Sequence, residues 1–133
     1  MKKIKFKCFR KKSGTLIPFS LKKNFPIEIK RIFIINGKKN FTRGDHAHKK
    51  CSQFLFPILG KIKIECISKK FKKKIILNYN NKEGYLVKPK TWVKIKFLTE
   101  NAILMVACDM EYEFKDYIEK FEDFLKIIKR KKI

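Results

Sequence analysis

The chain has 133 residues and carries 35 Lys and Arg against 12 Asp and Glu, a formal net charge of +23. Because 44% of the residues are nevertheless hydrophobic, the composition excludes a disordered polycation, and the length suits a single domain over residues 1–133. No apolar run approaches the roughly 18–20 residues of a membrane span, so we expect no membrane association. The lysine-rich start also lacks the apolar core of a signal peptide.

Hydrophobic residues alternate with lysine or glutamate in three segments, residues 4–8, 62–66 and 93–97. A period of two predicts antiparallel strands with one buried face. Three further runs are continuously apolar and predict strands buried on both faces, at residues 32–35, 54–59 and 102–107. Pro57 within the second run predicts an edge strand or a bulge.

Turn signals separate these strands at Gly14, Gly37, Gly60, Asn80–Asn81 and Gly84. Strands of this length, spaced roughly 8–12 residues apart, are typical of a β-sandwich or barrel.

The pattern changes near Phe114, from which apolar residues recur at helical spacing as far as Ile128. Asp116 and Glu119 fall early and the basic residues 129–132 fall late, which suits the helix dipole. The sequence therefore predicts an all-β body with one C-terminal helix.

Four cysteines are present and none forms a Cys-x-x-Cys motif, which disfavours a zinc cluster or a disulfide framework. We expect Cys8, Cys66 and Cys108 to pack as small buried hydrophobes. A reducing, cytoplasmic setting is the default expectation for such a chain.

The charge has three explanations: a nucleic-acid binder, an enzyme for an anionic substrate, or a general bias toward lysine. Only four of the 35 basic residues are arginine, the residue that phosphate recognition favours, and the lysines are spread along the chain. The aromatic residues mostly fall on the apolar side of the alternation, which argues against a surface that stacks bases. We therefore expect no nucleic-acid partner.

Both histidines of the chain lie in the stretch 43–50, at His46 and His48. On a strand, positions i and i+2 face the same side, so the two rings can converge on a metal or serve as an acid and a base. A firm divalent site needs a third good ligand, but Gln53 stands near the position where a glutamate would serve and no third histidine exists. The residues therefore favour proton transfer without a metal or other cofactor.

The stretch R43-G-D-H-A-H-K49, followed by Gln53, Leu55 and Gly60, resembles the signature of the sugar-nucleotide 3,4-ketoisomerases, the WxcM-like members of the cupin superfamily. The tail from residue 102 to 124 and the turn P89-K-T-W92 resemble the same family. The resemblance implies a cupin-type jelly-roll barrel or sandwich with one C-terminal helix. It also implies a metal-free homodimer that converts dTDP-4-keto-6-deoxyglucose to a 3-keto sugar nucleotide, which an aminotransferase then uses for surface glycans or antibiotics.

Matched to that family, His46 is the expected base for the C3 proton and His48 its proton-shuttling partner, although the two roles could be exchanged. Relatives carry tyrosines in the strand that here contains Phe33, so the configuration of the product at C4, galacto or gluco, stays open. The residues expected to contact the dTDP-sugar are Phe33, Arg43, Lys49, Gln53, Trp92, Lys94 and Lys96.

Three alternatives remain at this point. The chain could be a cupin module that binds sugar nucleotides without converting them, a basic nucleic-acid-binding barrel, or a metal-dependent cupin oxygenase or epimerase. The complete set of His46, His48 and Arg43 argues against the first, since a site that no longer catalyses has no need of it.

Overall fold

The computed structural model describes residues 1–129, which form twelve strands and one helix. The strands are β1 (Lys2–Lys5), β2 (Phe9–Lys11), β3 (Gly14–Leu16), β4 (Arg31–Gly37), β5 (Thr42–His48), β6 (Gln53–Leu59), β7 (Lys61–Ile67), β8 (Lys72–Asn78), β9 (Glu83–Val87), β10 (Trp92–Phe97), β11 (Ala102–Cys108) and β12 (Tyr117–Ile118). Helix α1 spans Phe121–Ile128, and single 3₁₀ turns occur at Tyr79–Asn81 and Phe114–Asp116.

Ten of these strands form two five-stranded antiparallel sheets, in the orders β1-β9-β6-β11-β4 and β12-β5-β10-β7-β8. The strands β2 and β3 form a separate hairpin. The main core joins the inner faces of both sheets, with Leu55, Leu104 and Val106 from the first packed with Ile62 and Ile64 from the second. This arrangement confirms the predicted all-β, cupin-type sandwich with a C-terminal helix. Within the described residues, no helix has the length and apolar character needed to cross a membrane.

Strand β4 differs from its prediction. Ile32 and Ile34 are 53% and 56% exposed, whereas Phe33 and Ile35 on the other face are half-buried against the core. The outer faces of β6 and β11 are covered by Phe6 and by residues 17–29, which pack on Phe54, Phe56 and Ala107, whereas Ile32 and Ile34 are not part of that cluster. The prediction of burial on both faces was wrong because a continuous apolar run does not show which segment covers each face of the strand.

Strand β6 resolves the position of Pro57. It lies between β9 and β11, so it is not an edge strand. Its pairing with β11 skips Ile58, because Leu104 is opposite Pro57 whereas Ile103 is opposite Leu59. Pro57 therefore occupies a bulge, where the missing N–H costs no regular ladder bond.

The C-terminal helix begins later than predicted. Residues 114–118 form a 3₁₀ turn and then β12, in which Tyr117 and Ile118 pair with His48 and Ala47. Those residues happen to fit helical spacing, but pairing with β5 fixes them in extended backbone. The basic residues 130–132 of the prediction lie outside the described residues.

Helix α1 packs against the outer side of the second sheet through Trp92, whose ring lies 5.2 Å and 5.6 Å from the rings of Phe121 and Phe124. The Trp92 indole N–H donates a 3.0 Å hydrogen bond to Asp45 Oδ1.

Among the cysteines, Cys66 and Cys108 are fully buried as predicted, whereas Cys8 is only half-buried.

Candidate active site

A bulge in strand β5 aims the first histidine into the interior. Opposite β10, Val93 pairs with His46 and the next residue, Lys94, pairs with Gly44, so Asp45 is the extra residue. Gly44 and Asp45 both have positive φ, and a side chain at Gly44 would meet the Val93 carbonyl oxygen at 3.0 Å. Because the bulge shifts the alternation by one, Arg43 and His46 face the same side despite their odd separation.

That side opens into a cavity of about 250 Å³ between the two sheets. Its polar lining comes from Arg43, His46, Gln53 and Tyr117, and its apolar walls include Phe33. Gln53 is 7% exposed and projects from the start of β6. Four of the residues expected to act on or contact the substrate, Phe33, Arg43, His46 and Gln53, therefore line one enclosed space.

His48 lies directly behind His46, with the two ring centroids 5.1 Å apart. Its Nδ1 is 2.9 Å from Asp116 Oδ2, and both side chains are about 5% exposed. Asp116 also accepts hydrogen bonds from the backbone N–H groups of Lys50 and Cys51. Because the ionised Asp116 carboxylate can only accept hydrogen bonds, the proton of the neutral His48 ring lies on Nδ1. Nε2 is therefore the free basic nitrogen of that ring. That Nε2 is buried and has no hydrogen-bond partner among residues 1–129.

Burial lowers the pKa of both histidines from the ordinary value of 6.5. For His46 this effect outweighs the opposing influence of the Gly44 backbone, Glu119 and Asp45. For His48 it outweighs the hydrogen bond to Asp116, and the positive charge of Arg31 lowers the pKa further. Both rings are therefore neutral near pH 7 and able to accept a proton.

Tyr117 brings a hydroxyl to the histidine pair. Its ring lies 5.1 Å from that of His46 and 4.3 Å from that of His48, and it lines the cavity. Burial lowers the pKa of Arg31, but interactions with the Tyr117 and Cys108 side chains outweigh it, and the pKa is raised. The strand that holds Phe33 thus lacks a tyrosine, but β12 supplies one to the same cavity from the other sheet.

One group of side chains could hold a metal ion. The donor atoms of His48, Cys51 and Asp116 all lie within 4.8 Å of one another. His46 is not part of this group, so it differs from the pair that the H-x-H spacing suggests. The Asp116 oxygens already accept three hydrogen bonds, and interaction with Cys108 together with burial raises the pKa of the Cys51 thiol. A metal ion would have to displace the protons on Cys51 Sγ and His48 Nδ1 and would compete with the hydrogen bonds that Asp116 accepts. These donor atoms therefore fit a resident metal ion poorly.

Four of the residues expected to contact the substrate do not line the cavity. On β10 the cavity is lined by Val93 and Ile95, so Trp92, Lys94 and Lys96 face the outer side of the sheet. Trp92 and Lys94 instead line a separate surface groove with Asp45 and Phe121. Lys49 follows the end of β5 with an exposed side chain, and only its backbone N–H is engaged, with the Asp116 carbonyl oxygen. The alternation of the strand, which the sequence already displayed, explains the three β10 residues.

Sequence reasoning missed Arg31, Asp116 and Tyr117 as members of the site. Asp116 is 68 residues from His48, and both Asp116 and Tyr117 had been assigned to an amphipathic helix.

A two-sheet antiparallel sandwich with a polar, histidine-containing cavity between its sheets defines a cupin-type protein. The fold matches the rmlC epimerase of Mycobacterium tuberculosis with a TM-score of 0.76 over 86% of this chain and 66% of that one, at 11% identity. At that identity the likeness concerns the fold alone.

Closer comparisons define the family. The model of the family "FdtA: WxcM-like, C-terminal" matches residues 1–129. The chain is 30% identical over 128 residues to a TDP-4-oxo-6-deoxy-alpha-D-glucose-3,4-oxoisomerase of Aneurinibacillus thermoaerophilus, covering 96% of this chain and 91% of the relative. It also matches QdtA, a sugar 3,4-ketoisomerase of Thermoanaerobacterium thermosaccharolyticum solved with TDP, with a TM-score of 0.90 and 32% identity over 99% and 96% of the two chains. The chain belongs to the FdtA, WxcM-like family, as its sequence motifs predicted.

Proposed function

We propose that this protein is a 3,4-ketoisomerase that moves the ketone of TDP-4-keto-6-deoxyglucose from C4 to C3 of the sugar. The observation that carries the proposal is the cavity in which His46 faces Arg43, Gln53 and Tyr117, with the His48–Asp116 pair behind it. It is supported by family membership and by relatives that are 3,4-ketoisomerases over nearly their full length.

The chemistry requires only proton movements. The C4 ketone acidifies the hydrogen on C3, and neutral His46 removes it to give an enediolate across C3 and C4. The C4 oxygen takes up one proton to become a hydroxyl and carbon C4 takes up another, while the C3 hydroxyl loses its own, which leaves a ketone at C3. No electron leaves the sugar, so the sum is an isomerisation.

The remaining side chains have roles that follow from their positions. His48, fixed by Asp116, and the Tyr117 hydroxyl lie where they can relay protons between the sugar oxygens and His46. Arg43 carries a permanent charge at the cavity and binds the diphosphate or the enediolate oxygens. Gln53 orients a sugar hydroxyl.

Product identification tests this assignment. Purified protein is incubated with TDP-4-keto-6-deoxyglucose in deuterated water, and the sugar is followed by proton NMR beside His46→Asn and His48→Asn variants. We expect a 3-keto product from the wild type, none from His46→Asn and only slow formation from His48→Asn, and the coupling constants of the product give the galacto or gluco configuration at C4. Binding of the sugar nucleotide without product would instead establish a non-catalytic binding module.

We also infer that the enzyme is a homodimer in which a second copy covers the outer face of β4. The resemblance that suggested a dimer and the exposed Ile32 and Ile34 of this edge strand both support that arrangement. A cytoplasmic location, a role in surface-glycan synthesis, the absence of a nucleic-acid partner and activity without a metal stay predictions.

A further inference from the structure

Two hydrogen-bond donors, one of them charged, converge on one buried sulfur beneath the cavity. The Cys108 Sγ accepts from Arg31 Nη2 and from Gln53 Nε2, each at 3.5 Å, whereas the neighbouring Cys51 thiol donates to the Ser52 carbonyl oxygen at 3.3 Å. Cys108 is 0% exposed, so no solvent competes for these bonds.

The Arg31 guanidinium lacks a carboxylate partner. In the part of the chain that the structure describes, it forms no ion pair with any aspartate or glutamate. Its remaining contacts are the Tyr117 side chain and the rings of Phe33 and Tyr112, at 5.5 Å and 5.6 Å. A partly buried cation needs a compensating anion, and the Cys108 sulfur is the group in hydrogen-bond contact that can supply one.

We propose that Cys108 is present as a thiolate that positions Arg31 and the cavity-lining Gln53, while the neighbouring Cys51 thiol stays neutral. A neutral thiol is a weak acceptor, whereas a thiolate is a charged acceptor suited to two donors of which one is a guanidinium. Because Gln53 lines the cavity and Arg31 contacts Tyr117, the sulfur holds both a substrate-orienting amide and a proton-relay hydroxyl in place. The positioning role rests on the proposed isomerase function, whereas the ionisation of Cys108 does not.

The surroundings of the thiol pair agree with this assignment. Interaction with Cys51, Gln53 and Arg31 lowers the pKa of Cys108 although burial opposes the shift, and interaction with Cys108 raises the pKa of Cys51. The charged and titratable groups around the pair are Arg31 on β4, His48 on β5, Asp109 after β11, Asp116 before β12 and Tyr117 on β12.

Ultraviolet absorbance tests the ionisation directly, because a thiolate absorbs where a thiol does not. We expect the folded wild type at pH 7 to contain one thiolate, which Cys108→Ser removes. The matched control is Cys66→Ser, because Cys66 is equally buried but its pKa is raised to about 12, so the thiolate signal should persist. An unchanged signal in Cys108→Ser, or no thiolate in the wild type, would overturn the proposal.

Steady-state kinetics test the positioning role. Cys108→Ser should raise KM about tenfold, the effect of losing one charge-assisted hydrogen bond, and Cys108→Asp should restore most of it by returning a negative charge. Equal defects in the Ser and Asp variants would contradict positioning by charge and indicate a packing role. Should the wild type bind TDP but convert no sugar, the ketoisomerase proposal fails, while the absorbance result and the TDP affinity of the same variants still decide the role of Cys108.

Discussion

Asp116 is the residue on which the orientation of His48 depends. Asp116→Asn removes the carboxylate that fixes the Nδ1–H tautomer, so we expect kcat to fall about 10²–10⁴-fold, the range for a positioned acid/base group. The pH dependence carries a second signature: the carboxylate raises the pKa of His48, so its loss should move the pKa of that ring further down.

Asp109→Asn is the matched control, because Asp109 also accepts a backbone N–H, from Ser52 at 2.8 Å, but does not bond to a histidine. Thermal unfolding shows whether either variant loses stability. An Asp116→Asn enzyme with wild-type kcat would contradict the orienting role.

The neutral state of both histidines predicts a specific pH profile. The pKa of each ring is lowered below 6.5, so the base form persists above that pH, and kcat/KM should fall only as the pH drops below 6.5. Stability should follow the same sense: between the folded and unfolded pKa values the unfolded chain binds more protons, so the free energy of unfolding decreases as the pH falls below 6.5. An acid limb of kcat/KM centred above 6.5 would be inconsistent with buried, neutral rings.

At the scale of elements, the bulge of β5 determines which side chains reach the substrate. Arg43 faces the cavity, whereas Lys94, on the neighbouring strand, faces outward. We expect Arg43→Ala to raise KM about tenfold through the loss of a charged hydrogen bond, and Lys94→Ala to leave KM unchanged. Comparable increases in both variants would show that the substrate extends along the outer face of β10.

Strands with strict alternation could be predicted from sequence, as β7 and β10 illustrate, because the period of two is set by the pleat itself. The position of a strand within its sheet could not, since Ile32 and Ile34 are apolar yet exposed on edge strand β4. Helical spacing at Tyr117 and Ile118 misled for a related reason: pairing with β5 overrides a local pattern.

Those residues of the candidate site that belong to short sequence motifs could be named from the sequence. Phe33, Arg43, His46 and Gln53 line the cavity, and His48 adjoins His46. Asp116, Tyr117 and Arg31 were not found, because their partners are distant in sequence and become neighbours only when β12 and β4 join the two sheets. The hydrophobic pattern of the sequence does not show which distant residues become neighbours in the fold.

At the scale of the whole molecule, the exposed outer face of β4 predicts the subunit interface. Ile34→Lys places a charge in that face and should convert a dimer to a monomer in size-exclusion chromatography with light scattering. Ile76→Lys, on edge strand β8 of the other sheet and 49% exposed, is the control and should leave the mass unchanged. A dimer that survives Ile34→Lys but dissociates with Ile76→Lys would place the interface on the opposite sheet.

The net charge of +23 comes mostly from lysines spread along the chain, whereas the cavity is lined by one arginine, Arg43, and one histidine, His46. The charge of the surface and the chemistry of the interior are therefore separate properties. Binding of an anionic sugar nucleotide benefits from the positive field, but the proton transfer depends on the pair in the cavity.

The most direct test of the central claim is the rate of deuterium incorporation at C3 of TDP-4-keto-6-deoxyglucose in deuterated water, compared between His46→Asn and His48→Asn. If His46 is the base, its variant binds the sugar nucleotide but incorporates no deuterium at C3, whereas the His48 variant still exchanges C3 and forms product slowly. Full exchange by the His46 variant would show that another group removes the C3 proton and would contradict the account of the site.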